Sequence, residues 1–138
     1  MTYQETLTIV TRGRGSQDIT GEVAAVVARG GAACGLAHVF VRHTSCSLLL
    51  TENADPDVRR DLETLFSRWA PDGDPAYRHD LEGDDDMAAH ARSLVAGYEL
   101  TVPVREGRLA LGTWQGIWLG EHRIHGGSRH IVATLMGE

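Results

Sequence analysis

The sequence predicts an α+β fold: a mainly antiparallel β-sheet or sandwich with about three helices. Three observations carry that expectation. About seven short apolar runs, most of them rich in β-branched residues, are bounded by turn residues, which is the signature of strands. Three other segments place apolar residues at helical spacing and run into glycine or a Pro/Gly loop. In the last third the strand-like runs follow one another directly, without the alternation of strand and helix that a parallel sheet needs. The 16 glycines fit a chain with many tight turns.

Leu7-Thr8-Ile9-Val10-Thr11 reads as a first strand, closed by Arg12-Gly13-Arg14-Gly15. Asp18 is suited to cap a helix over Ile19 to Arg29, with Val23, Val26 and Val27 on one face and Gly30-Gly31 as the stop. Leu36 to Arg42 and Leu48-Leu49-Leu50 are strand candidates. Asp55-Pro56 supplies a cap and a first-turn proline for a second helix. Its apolar face is Val58, Leu62, Leu65, Phe66 and Trp69, and it ends before the loop Pro71-Asp72-Gly73-Asp74-Pro75. Asp84-Asp85-Asp86 opens a third helix, from about Met87 to Ala96, stopped by Gly97. The remaining strand candidates are 100–104, 108–111, 117–119 and 131–135, with Glu106-Gly107 as a hairpin turn.

A chain of 138 residues is expected to form one domain, residues 1–138, with no repeat or linker. At this size roughly 68% of the unfolded surface can be buried, so no staples are required. The net charge of −6 argues against nucleic acid as a partner, because broad phosphate binding needs a basic surface. A small phosphorylated ligand stays compatible with it, since a local arginine can oppose the global sign. No apolar run approaches the ~20 residues that span a bilayer, and no leader-like segment is visible, so neither membrane nor secretion is expected. Cys34 and Cys46 read as two reduced thiols in a cytoplasmic protein.

The densest chemistry lies between Arg78 and His90, where two histidines and five carboxylates share thirteen residues. A carboxylate at a helix N-terminus gains only ~0.3–1 kcal/mol from the dipole, and capping needs one of them. Three adjacent aspartates repel one another, and a bound cation would relieve that. Asp86 and His90 are four residues apart, so on a helix they share a face. His79 sits on the preceding loop, and His43, in His43-Thr44-Ser45-Cys46-Ser47, could complete a three-histidine set that leaves a coordination position for water or substrate. Cys46 reads as a small buried apolar residue. Glu52 and Asn53 either cap the second helix or emerge beside His43. Trp114 and Gln115 lie in a glycine-bounded turn, and Arg123 and Arg129 could receive a phosphate or a carboxylate. For Arg129, His122, His125 and His130 the alternative is a solvated hairpin.

His43-Thr44-Ser45-Cys46-Ser47, Glu52-Asn53-Ala54-Asp55-Pro56, the His79–His90 segment, Leu111-Gly112-Thr113-Trp114-Gln115-Gly116-Ile117 and Gly137-Glu138 occur in one order. In that order they closely resemble the YjbQ family, whose members are commonly labelled secondary thiamine-phosphate synthases. The resemblance runs from about Tyr3 to Glu138. It implies a compact α+β fold assembling as a homotrimer, with a divalent-metal site at His43, His79 and His90. It also implies joining a pyrimidine-methyl diphosphate to a thiazole phosphate, giving thiamine phosphate and pyrophosphate, as a promiscuous activity. In that reading Asp85, Asp86 and Glu52 are catalytic, and Asn53, Gln115 and Arg123 bind substrate. Imidazoles favour zinc or another transition ion, while diphosphate leaves magnesium open. Two positions depart from the family's habit. Ala88 replaces a proline at the third helix's start, and Cys46 stands where alanine is common. The alternative to an enzyme is a non-catalytic trimer that holds a metal or an anionic metabolite; a third reading has the histidines purely structural.

Overall fold

The computed structural model describes all 138 residues, Met1–Glu138. Strands β1 (Thr2–Val10) and β2 (Gly15–Asp18) precede helix α1 (Thr20–Gly30). Strands β3 (Cys34–Val41) and β4 (Cys46–Glu52), helices α2 (Pro56–Trp69) and α3 (Asp86–Ala96), and strands β5 (Glu99–Arg105), β6 (Arg108–Leu109), β7 (Gln115–Glu121) and β8 (Ser128–Gly137) follow. Five strands form one sheet in the order β1-β8-β3-β5-β6, and three form another in the order β2-β7-β4. Every pairing is antiparallel. The expected α+β class, three helices included, is what folds.

Alternation explains how the sheets meet. Val39, Val41, Val102 and Ile131 from the larger sheet pack against Cys46, Leu48, Ile117 and Leu119 from the smaller, with Ile19, at the N-cap position of α1, and Val23 of that helix closing the cluster. Val27 joins Ala37, Val104 and Leu135 in a second cluster. The α1 face read from the sequence is the buried one. Gly31, at φ 77°, ends that helix in the left-handed region that glycine adopts without penalty. Glu106 and Gly107, at φ 53° and 75°, make the tight turn between β5 and β6.

Helix α2 starts as expected: the Asp55 side chain accepts the Asp57 backbone N–H, with Pro56 at the first turn. Its face is less buried than the periodicity suggests. Phe66 alone of the five apolar residues is fully covered, and Trp69 is 59% exposed. The helix lies on the outer side of the small sheet, where the Arg59 guanidinium sits 4.2 Å above the Trp118 ring. Strand β2 was not legible. Gly-Ser-Gln-Asp has no strand-forming side chains and is held by its ladder with β7.

Candidate functional site

Helix α3 positions the centre. Asp85 occupies its N-cap position, yet the side chain makes no cap hydrogen bond. Instead the carboxylates of Asp85 and Asp86 turn toward the loop after β7. Arg123 Nε donates to Asp85 Oδ2 at 2.9 Å, and Arg123 Nη1 donates to Asp86 Oδ1 at 2.6 Å. The Ile124 backbone N–H donates to Asp85 Oδ2, and Arg123 Nη2 to the Glu82 carbonyl. Gly83 permits this approach: it holds φ 102°, and a Cβ there would stand 3.1 Å from Asp85 Oδ1.

The other oxygen of Asp86 faces two imidazoles. His79 Nε2 is 2.6 Å and His90 Nε2 3.1 Å from Asp86 Oδ2. The two rings lie 5.3 Å apart, and the three candidate ligand atoms are all within 4.8 Å of one another. Burial raises the Asp86 pKa, but the hydrogen bond from His79 and the charges of Arg123 and His90 outweigh it and hold the carboxyl below the ordinary carboxylate value. Asp85 is likewise raised by burial and lowered further by Arg123 and the Ile124 N–H, for a net depression.

His90 decides what this cluster can hold. Its Nδ1 lies 2.9 Å from the Thr44 carbonyl oxygen, which can only accept, so Nδ1 carries the hydrogen. In the neutral ring Nε2 then presents a lone pair to a carboxylate lone pair 3.1 Å away. Only a positive charge between or on them makes that arrangement favourable. A histidine that gives its far N–H to a carbonyl while its near nitrogen faces a carboxylate has the outer partner typical of a metal ligand. The donors of His79, Asp86 and His90 therefore suit a transition-metal dication, with two imidazoles and one carboxylate.

His43 is close by but aimed differently. It lines a cavity of about 320 Å³ together with Thr44, His90, Ser93, Leu94 and Tyr98. Its Nε2 accepts the His130 backbone N–H at 2.8 Å, its Nδ1 lies 3.4 Å from Arg129 Nη1, and its ring stacks on His130. Burial, then the nearby Arg129 and His130, lowers its pKa. His43 thus faces the cavity as a neutral ring whose Nε2 lone pair is already engaged, and it stands outside the cluster formed by His79, Asp86 and His90. Strand β3 ends at Val41, two residues before His43, so strand alternation does not set the direction of that ring.

Glu52, Asn53 and Gln115 lie elsewhere. Register pairs Glu52 with Gln115 at one end of β4–β7 and Cys46 with Glu121 at the other. Six residues of strand separate the ends, roughly 20 Å. The Glu52 carboxylate accepts the Ala54 and Asp55 N–H groups. Asn53 Nδ2 donates to the Thr113 and Gln115 carbonyls, and Gln115 Oε1 accepts the Gly112 N–H. These bonds hold the turns around β4 and β7 together, and within one chain they do not meet the histidines.

Two buried polar clusters beneath the site were not anticipated. Glu121, 2% exposed, accepts Arg129 Nε at 2.7 Å and Nη2 at 2.6 Å, and also receives the Thr11 hydroxyl and the Arg123 N–H. His122 is not a solvated hairpin residue but 2% exposed, with Nε2 2.7 Å from Ser47 Oγ and the ring edge-on to Phe66. Burial, reinforced by Arg92, lowers its pKa to about 4 despite the opposing pull of Glu121. The folded chain thus binds fewer protons than the unfolded one between about pH 4 and ~6.5. Stability from this group is complete above ~6.5 and is lost as pH falls toward 4, by about 3 kcal/mol in all. Urea midpoints between pH 7 and 4.5 should show this slope, and His122→Asn should flatten it.

Two facing antiparallel sheets, with a His–Asp–His cluster at the rim of a small cavity, define an α+β sandwich with a candidate divalent-metal centre. The chain belongs to the YjbQ-like family: the family described as "UPF0047 protein YjbQ-like" matches residues 5–138. It is 53% identical to the UPF0047 protein YjbQ of Salmonella typhimurium over 139 residues, covering 100% of both chains. It is 45% identical to a UPF0047 protein of Synechocystis over 136 residues, 99% of this chain and 92% of that one. A crystal structure of a YbjQ-like protein from Sulfolobus solfataricus superposes with a TM-score of 0.91 at 29% identity, covering 100% of this chain and 99% of that one. A Thermus thermophilus protein does so with a TM-score of 0.83 at 37% identity, covering 96% and 99%. The family expected from the motifs is therefore the family of this chain. No helix is long and apolar enough to cross a membrane.

Proposed function

We propose that this protein is a metal-dependent enzyme acting on a small phosphorylated molecule, with thiamine-phosphate formation as an accessible, promiscuous reaction. The observation that supports it most is the convergence of His79 Nε2, His90 Nε2 and Asp86 Oδ2 within 4.8 Å of one another, with His90 Nδ1 turned to the Thr44 carbonyl. His79, His90 and Asp86 would hold the ion, zinc or a similar transition metal in preference to magnesium. When bound, a dication supplies charge stabilisation for phosphate or diphosphate oxygens.

The chain's own residues set the rest. Thr44 fixes the His90 tautomer through its carbonyl. Leu94, Tyr98 and the neutral His43 ring give the adjoining cavity an uncharged lining suited to the organic part of a substrate. In joining a pyrimidine-methyl diphosphate to a thiazole phosphate, the carbon–oxygen bond to diphosphate breaks and a carbon–nitrogen bond forms. The site would receive the departing pyrophosphate.

A catalytic part for Glu52, and a substrate-binding one for Asn53 and Gln115, requires a second copy to bring that end of the small sheet to the histidines, which is the form the proposed homotrimer takes here. Free Cys34 and Cys46 accord with a reducing, cytoplasmic setting. Pyrophosphate release from the two substrates, with Zn²⁺, Mn²⁺ or Mg²⁺ present, tests the reading. The wild-type chain should turn over, and Asp86→Asn should lose ~100-fold or more, the scale of a positioned acid–base or charge-stabilising group. Wild-type release no faster than a metal-only blank would contradict catalysis and favour a binding protein.

A further inference from the structure

We infer that Arg123 is a positioning residue for the metal centre, and that its guanidinium presents Asp86 as a one-oxygen ligand instead of receiving a substrate phosphate. The inference rests on the metal reading above and assigns a residue that reading leaves open.

The guanidinium has three committed nitrogens. Nε is on Asp85 Oδ2, Nη1 on Asp86 Oδ1 and Nη2 on the Glu82 carbonyl, at 2.9, 2.6 and 2.9 Å. Three of its five N–H groups are thus committed to groups of this chain, and two of the three go to carboxylates. Its bonds also sort the oxygens of Asp86. Oδ1 is taken by Arg123, so only Oδ2 is free to face His79 and His90.

The fork is fixed from behind. The Arg123 backbone N–H donates to Glu121 Oε2, and Arg129 holds that same carboxylate by two hydrogen bonds. The Ile124 N–H locks Asp85 on the far side. Rotation of the Asp86 carboxylate would break the Arg123 bond, so the ligand oxygen is set before any ion arrives.

Charge sets a separate requirement, on what the bound ion can do. Asp85 and Asp86 bring two negative charges to the centre, and Arg123 cancels one. A dication bound there keeps a net positive charge, which an anionic substrate needs. Without the arginine the two carboxylates would neutralise it.

Co²⁺ titration of the full chain, followed by calorimetry and visible absorption, tests the assignment on wild type, Arg123→Gln and Arg123→Lys. Arg123→Gln should bind roughly 10–100-fold more weakly, the usual effect of losing an outer partner of a ligand, with displaced absorption bands. Arg123→Lys keeps the charge but not the fork and should resemble Arg123→Gln. Wild-type affinity and bands in Arg123→Gln would overturn the inference. So would full rescue by lysine, or a loss of inorganic-phosphate affinity with Co²⁺ binding unchanged. If Arg123→Gln fails to fold by circular dichroism, Asp85→Ala releases the fork from its other carboxylate and should show the same weakening; wild-type binding there overturns the inference equally. A wild-type chain that takes up no Co²⁺ removes the metal reading itself, whereas uptake matched by Arg123→Gln removes only the role given to the arginine.

Discussion

Replacing His90 with alanine should lower Zn²⁺ affinity by more than the ~10–100-fold that losing an outer partner costs, because His90 supplies a donor atom directly. His79→Ala should act alike, since its Nε2 stands 2.6 Å from the same carboxylate oxygen. His43→Ala should cost less, because the His43 Nε2 lone pair is held by the His130 N–H. Calorimetric titration of untagged protein ranks the three. Both ligand histidines are partly exposed at the rim of the fold. Their removal should therefore move the unfolding free energy by no more than about 1 kcal/mol, so lost binding will not be lost folding. A His43→Ala effect as large as that of His90→Ala would mean that the His43 ring turns inward when an ion binds.

Glu121→Leu should destabilise the fold by about 3–5 kcal/mol, the scale for stripping one partner from a buried ion pair. Arg129 is 12% exposed at its side chain and Glu121 1%, so the orphaned guanidinium could not be rescued by solvent without rearrangement. The damage should also spread. Glu121 receives the Arg123 N–H and the Thr11 hydroxyl, and Arg129 reaches toward His43. Denaturant midpoints of Glu121→Leu, Arg129→Leu and the double variant test this. The double variant should be the more stable relative to the sum of the two, because removing both charges leaves neither unpaired.

How far the sequence reached differs from residue to residue. His79, Asp86 and His90 were legible as a group because they lie within one loop and one helical turn, where spacing fixes which side chains meet. His43 was legible as a neighbour of the site but not in its aim, which depends on a loop between β3 and β4 and on a backbone N–H from β8. Glu52, Asn53 and Gln115 share motifs with the histidines in the chain, but a seven-residue strand places them at the opposite end of the small sheet. Arg123 was visible as a possible receiver of a phosphate or a carboxylate, and only the tertiary fold shows that Asp85 and Asp86 are the carboxylates it meets.

Glu121 and Arg129 carried a signal that charge concealed. Glu121 shares strand parity with Ile117 and Leu119, and Arg129 with Ile131, Ala133 and Leu135, so alternation alone turns both toward the interior. Their opposite charges, each on the inward face of its own strand, are what makes that burial tolerable. Asp85 and Asp86 show the converse. The dipole of α3 would accept either as a cap, yet tertiary partners claim both side chains.

Anomalous diffraction at the zinc edge, from crystals grown with Zn²⁺ at one equivalent per chain, probes the centre most directly. The arrangement described above predicts one peak about 2.0–2.2 Å from His79 Nε2, His90 Nε2 and Asp86 Oδ2, with Arg123 still on Asp86 Oδ1. A peak bound by other residues, or none at those three atoms with zinc in the crystal, would contradict it.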